Sequence, residues 1–245
     1  MLKSGIIAIG LLAASQAVAT TTVSTFDFTS SSNFSSTPGG YGNTYEISQG
    51  SVDLDIKAFA DTGSNGTVED AKVASNSHGL LVYNQDSNDG HYIDNGNHRD
   101  MLFFDFNKSV ALTKLNIGYS SNDSDMVVVG FNTLPTYNSS STWSSLASAI
   151  TAGTHVIFEL LDGGTGWQSF NTGGFESQYW LVGAYNKYFG SSVYEGATDK
   201  IKLAGIMTSH EETSTTPPVE ANAPASLGLM AAALVFMWNR RRVQK

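Results

Sequence analysis

The chain has 245 residues, with 13 Lys+Arg against 22 Asp+Glu for a formal charge of −9, and it contains no cysteine. Without Cys there is no disulfide scaffold, zinc–thiolate site, iron–sulfur cluster or thiol nucleophile. An acidic surface also argues against a nucleic-acid partner, and 24 Gly with only 14% charged residues exclude a coiled coil.

Residues 1–19 read as a secretory signal peptide. Lys3 supplies the positive start, residues 5–14 form a short apolar run, and Ala17-Val18-Ala19 is a small-x-small cleavage site with Ala17 and Ala19 at its key positions. The apolar run is too short to span a bilayer. Removing both ends leaves residues 20–219 with eight basic and 21 acidic residues, a net of −13. Such a charge suits solubility outside the cell or divalent-cation binding. About 200 residues suffice for one domain with a real core.

Residues 20–43 are rich in Ser, Thr and Gly, with one apolar patch at Val23, Phe26 and Phe28. The pattern then becomes β. Val52, Leu54 and Ile56 alternate with Asp53, Asp55 and Lys57 as a half-buried strand. Further strands are expected at residues 79–83, 101–106, 112–119, 126–131, 155–161, 179–185 and 200–207. Their turn-punctuated spacing predicts an all-β domain over 20–210, an antiparallel β-sandwich or jelly roll. One short helix is expected near 142–151. Trp143, Leu146, Ala147 and Ile150 fall at helical spacing there, and Ser141 can cap its start.

Loops between these strands hold the candidate chemistry. Residues 84–100 are dense in Asp and Asn and run directly into a strand, and Asn122-Asp123-Ser124-Asp125 lies between two strands. Calcium takes six to eight oxygen ligands, which flexible Asp/Asn loops can supply. Asp94, Asn95, Asp100, Asp123 and Asp125 are therefore the candidate Ca²⁺ ligands, weighed against plain turn-making. Asp61–Gly66 opens like an EF-hand, but Lys72 stands where the bidentate Glu belongs, so a turn is the better reading. The spacing of His91 and His98 matches no zinc site, and His210-Glu211-Glu212 lacks a second His, so the histidines read as surface or turn residues. There is no Gly-x-Ser-x-Gly elbow and no complete dinucleotide fingerprint, since residues 164–169 lack the third Gly. Glu159, Glu176 and Glu195 leave a glycosidase-type carboxylate pair open as an alternative. So do the aromatics of the second half: Trp167, Trp180 and Tyr185 are candidate sugar-stacking platforms, with burial in a core as the competing use.

Residues 211–223, mostly Glu, Thr, Ser, Pro and Ala, read as a linker. An uncharged apolar segment follows over 224–239, expected as a transmembrane helix, and then a basic cytoplasmic tail, 240–245, with Arg240-Arg241-Arg242. From Pro224 to Trp238 a helix would be about 22 Å long, short for a span but insertable where the bilayer thins.

The order Asn222-Ala223-Pro224, apolar segment, Arg240-Arg241-Arg242 resembles the C-terminal PEP-CTERM sorting signal of Gram-negative bacteria. It departs from the Pro-Glu-Pro box in keeping only Pro224. A second stretch resembles exosortase-dependent surface proteins: His91-Tyr92-Ile93-Asp94-Asn95-Gly96, then Arg99-Asp100 and the apolar Met101–Phe106, then Ile117-Gly118-Tyr119 and Asp123-Ser124-Asp125. The resemblance implies Sec export, a transient inner-membrane anchor, and processing by an exosortase, a membrane protease-transpeptidase. Delivery to the cell surface or exopolysaccharide matrix would follow. It implies no catalysis and no obligate cofactor.

Overall fold

The computed structural model describes residues 18–86, 90–191 and 198–214. Of the expected signal 1–19, residues 1–17 lie outside them, as do the sorting box, the apolar segment 224–239 and the arginine tail, while Val18 and Ala19 open the first strand. Among the described residues no helix is long and apolar enough to cross a membrane. The chain divides into two compact units. One comprises residues 1–20 and 211–245; in it the Thr20 hydroxyl donates to the Glu212 carbonyl at 3.4 Å. The other is Thr21–His210.

The described strands are β1 (Val18–Asp27), β2 (Tyr45–Gln49), β3 (Val52–Ala60), β4 (Glu69–Asn76), β5 (Gly79–Tyr83), β6 (Ile93–Asp94), β7 (Asp100–Asn122), β8 (Met126–Phe131), β9 (His155–Leu160), β10 (Gly166–Ser169), β11 (Ser177–Ala184) and β12 (Asp199–Ser214). A single described α-helix, α1 (Trp143–Thr151), lies between β8 and β9. The protein is thus all-β with one short helix. β3, β4, β5, β12 and β7 pair in turn, each antiparallel, and β7 pairs back onto β3, so these five strands close into a ring. β11, β8 and β9 extend outward from β7 on the other side.

Closure has a local requirement at Gly79. The β5–β12 pairing is a single register position, Leu203 against Leu80. Gly79 has φ +113°, and a Cβ there would run into the Leu203 carbonyl. Only a residue without a side chain lets the two backbones approach in that conformation.

Where two strands are expected over 101–106 and 112–119, the chain forms one 23-residue strand, β7. The polar residues between them do not turn the chain. The Asn107 amide instead donates to the Asp53 carboxylate at 2.9 Å, and its oxygen accepts the Asp53 N–H at 3.1 Å. Val110, three residues on, is fully buried. β7 can therefore serve β3 and β11 with its first half and β10 and β12 with its second. β1, β2, β4, β6 and β10 are additional strands, too short or too polar to stand out by periodicity.

β8 shows how the interior is divided. Met126 and Val128 face a core containing Phe26, Phe104, Phe106 and Trp180, whereas Val127, Val129 and Phe131 face a second core beneath α1. A strand covered on both sides reads as an unbroken apolar run, as Met-Val-Val-Val does. Helix α1 buries Trp143, Leu146, Ala147 and Ile150, the expected stripe. Its cap is Thr142 rather than Ser141. The Thr142 hydroxyl accepts the Ser145 N–H at 3.2 Å, and Ser145 Oγ accepts the Thr142 N–H at 2.9 Å, a reciprocal capping box. Ser141 is buried, and its Oγ accepts the Asn138 N–H. Thr142→Ala should cost about 1 kcal/mol in urea unfolding, while Ser144→Ala on the exposed face should change little.

Candidate metal centre

Three loop segments converge at one end of the strands. The first follows β7: Asn122 turns the chain with φ 65°, and Asp123-Ser124-Asp125 leads into β8. The second follows β9, where Asp162 adopts φ 52° ahead of Gly163-Gly164. The third is Asp199, the first residue of β12. Asn and Asp tolerate the left-handed conformation better than most residues, which suits them to these turns.

Asp123, Asp125 and Asp162 each place one carboxylate oxygen within 4.8 Å of the other two. Asp123 is half-buried, Asp125 buried and Asp162 exposed, so the group opens to solvent on one side. Backbone donors fix the geometry. The Asp162 N–H donates to Asp125 Oδ1 at 2.6 Å, the Ser124 N–H to Asp123 Oδ1 at 2.7 Å, and the Gly164 N–H to Ser124 Oγ at 2.9 Å.

Behind this group lies Asp199, only 1% exposed. Its Oδ1 accepts the Asp125 N–H at 3.0 Å and its Oδ2 accepts the Asn95 amide at 2.5 Å. The Asn95 oxygen in turn accepts the Asp199 N–H at 2.8 Å. Burial pushes the Asp199 carboxyl up to about 7; Asp125 and Asp123 add repulsion, against the lowering hydrogen bonds from Asp125 and Asn95. Asp125 is also raised, by burial first and then by Asp123 and Asp162, against the Asp162 N–H. Both shifts come first from burial and are added to by the neighbouring carboxylates. A divalent cation would relieve that repulsion, and three carboxylates with neighbouring loop oxygens are the donor type that Ca²⁺ takes.

The five expected Ca²⁺ ligands therefore separate. Asp123 and Asp125 belong to the carboxylate group, joined by Asp162, which sequence reasoning did not single out. Asn95 is not in it but reaches it through Asp199, also not anticipated, and through the Tyr185 backbone. Asp94 and Asp100 form a different cluster. The Asp94 Oδ1 accepts the Gly96 N–H at 3.0 Å, and the fully buried Asp100 accepts the Asn84 amide at 3.1 Å.

Asp61 is likewise structural: it accepts the Arg99 N–H at 2.6 Å and the guanidinium at 3.3 Å. Residues 64–66 form a tight 3₁₀ turn after it. His210 departs from the surface expectation, being only 3% exposed.

Two of the three expected sugar platforms are interior. Trp180 and Tyr185 are fully buried, with the indole N–H donating to the Ser177 carbonyl at 3.1 Å and the Tyr185 hydroxyl to the Ser191 carbonyl at 2.6 Å. Trp180 shares strand parity with Val182, which turns both into the core. Trp167 on β10 is exposed. Of the three glutamates, Glu159 accepts the Ser191 N–H, Glu176 is exposed and Glu195 lies outside the described residues.

Fold and site together define an all-β protein with a loop-borne carboxylate cluster. Comparison of the chain with family models, curated proteins and solved structures finds no match.

Proposed function

We propose that the protein is an exported, non-enzymatic surface or matrix module of a Gram-negative bacterium, with a structural or adhesive role and with Ca²⁺ stiffening the loops at Asp123, Asp125 and Asp162. The fold is read as an antiparallel sandwich or jelly roll built around the five-strand ring. The observation that carries the calcium part is the convergence of those carboxylates in front of the buried Asp199. The sorting part rests on the order of segments in the sequence: a basic–apolar–Ala-x-Ala start, and a Pro-box, apolar and arginine end. In this reading the Sec machinery exports the chain and residues 224–239 hold it in the inner membrane. An exosortase-like enzyme then acts near Asn222-Ala223-Pro224.

The sorting part is tested by expressing the full chain with an epitope inserted after Ser214 and a second at the C-terminus. The first epitope should reach the surface or matrix fraction without the second. Replacing Arg240, Arg241 and Arg242 by Gln should leave both epitopes together in the membrane fraction. Recovery of both epitopes in the cytoplasm would exclude export.

A further inference from the structure

The outer face of β4, β5, β12 and β7 has an unusual composition for so acidic a chain. Val73, Val82, Leu203 and Ile117 point into the core, so the alternate positions point outward. Those positions carry Lys72 opposite Tyr83 and Lys202 opposite Tyr119. Tyr92 stacks on Tyr119 at 5.5 Å between centroids and 20° between planes, and His91 lies against Tyr83 at 4.0 Å. Lys202 sits 5.0 Å from the Tyr92 ring centre and 5.6 Å from that of Tyr119, with Lys200 5.8 Å from Tyr92. Lys72 is 5.1 Å from the Tyr83 ring. Among the described residues none of these three lysines is ion-paired with a carboxylate. Three of the eight basic residues in 20–219 thus share one face with a row of half-buried rings.

We propose that this face binds an acidic polysaccharide, its tyrosine rings packing against the apolar faces of the sugars and Lys72, Lys200 and Lys202 pairing with their carboxylates. Tyrosine suits a ligand that is apolar on one side and hydroxylated at its edge, because its own ring has that character. The spacing of charge favours a saccharide over a nucleic acid. The lysines are few and spread over β4 and β12, with β6 between β5 and β12 at that level and Asp94 on β6 opposite Lys200. A duplex carries a charge every ~1.7 Å along its axis and calls for a denser basic surface. The negative remainder of the chain would repel such a polymer, and would tolerate a sparsely charged one held at a local cationic strip. The proposal deepens the surface-module reading and rests on it for its setting. Binding in solution is independent of where the cell delivers the chain, so the two can fail separately.

The test uses the full chain in mild detergent with oligogalacturonate as probe, and neutral dextran and single-stranded DNA as comparisons. The expected result is saturable oligogalacturonate binding that weakens with added salt. It should fall at least about tenfold in Lys200→Gln/Lys202→Gln and again in Tyr92→Ser, with little binding to dextran or DNA. If Tyr92→Ser fails to fold, the lysine double variant, which changes only outward-facing side chains, decides. No binding to oligogalacturonate, equal binding by the lysine variant, or DNA bound as well as the saccharide would overturn the proposal.

Discussion

Trp180→Ala should destabilise the protein by about 3–5 kcal/mol in urea unfolding at 25 °C. The ring is fully buried, and its opposite neighbour on β8 is Gly130, where even a Cβ would meet the indole at 2.8 Å. Phe175 packs edge-on at 6.2 Å, and the indole N–H is satisfied by the Ser177 carbonyl. Truncation removes the largest side chain of that core and leaves a cavity that neighbouring strands cannot close. It also leaves the Ser177 carbonyl without its donor. Trp167→Ala, at an exposed ring, should stay within about 0.5 kcal/mol of the parent. A loss below about 1 kcal/mol for Trp180→Ala would place that ring at the surface and return it to the list of sugar platforms.

The second large effect is electrostatic. Asp199 titrates near 7 in the folded protein against 3.8 for an ordinary aspartate. Between those two values the folded state holds a proton that the unfolded state has released. Stability must therefore fall as pH rises from about 4 to about 7. For so buried a carboxyl the loss is on the order of 3 kcal/mol, and Asp125 adds to it with the same sign. In EDTA the protein should unfold at lower urea at pH 7 than at pH 5. Asp199→Asn should flatten that slope, even though the amide turns one acceptor oxygen into a donor facing either the Asn95 amide or the Asp125 N–H and so lowers stability at every pH. A wild-type stability that rises between pH 5 and 7 in EDTA would contradict the crowded-carboxylate picture.

The sequence shows the β character clearly where burial is one-sided, as in Val52–Ile56, or complete, as in Met126–Phe131. It does not show β7 as one strand, because Asn107-Lys108-Ser109 has turn composition and its actual use is a side-chain bridge to Asp53. The ring closure is invisible as well. It depends on Leu80 meeting Leu203, a pairing with no local signature. The candidate site is half legible for the same reason. Asp123 and Asp125 stand out because an Asp-rich turn between two apolar strands is a local pattern. Asp162 precedes an ordinary Gly-Gly turn, and Asp199 lies 74 residues beyond Asp125, so only the topology brings them together. Asp94 and Asp100 lie apart from that group. Density along the chain does not show which carboxylates come together: Asp94 accepts the Gly96 N–H and Asp100 the Asn84 amide, away from Asp123, Asp125 and Asp162.

The calcium-stiffened module is tested most directly by thermal unfolding of the full chain at pH 7 in EDTA and in millimolar CaCl₂. A ligand that binds only the folded state at a hundredfold excess over Kd stabilises by about 2.7 kcal/mol, enough to raise the midpoint by several degrees. The expected result is such a rise, larger at pH 7 than at pH 5 and lost in Asp125→Ala or Asp162→Ala, with Asp94→Ala retaining it. An unchanged midpoint in CaCl₂, or a rise that survives loss of Asp125 and Asp162, would contradict calcium binding at this cluster.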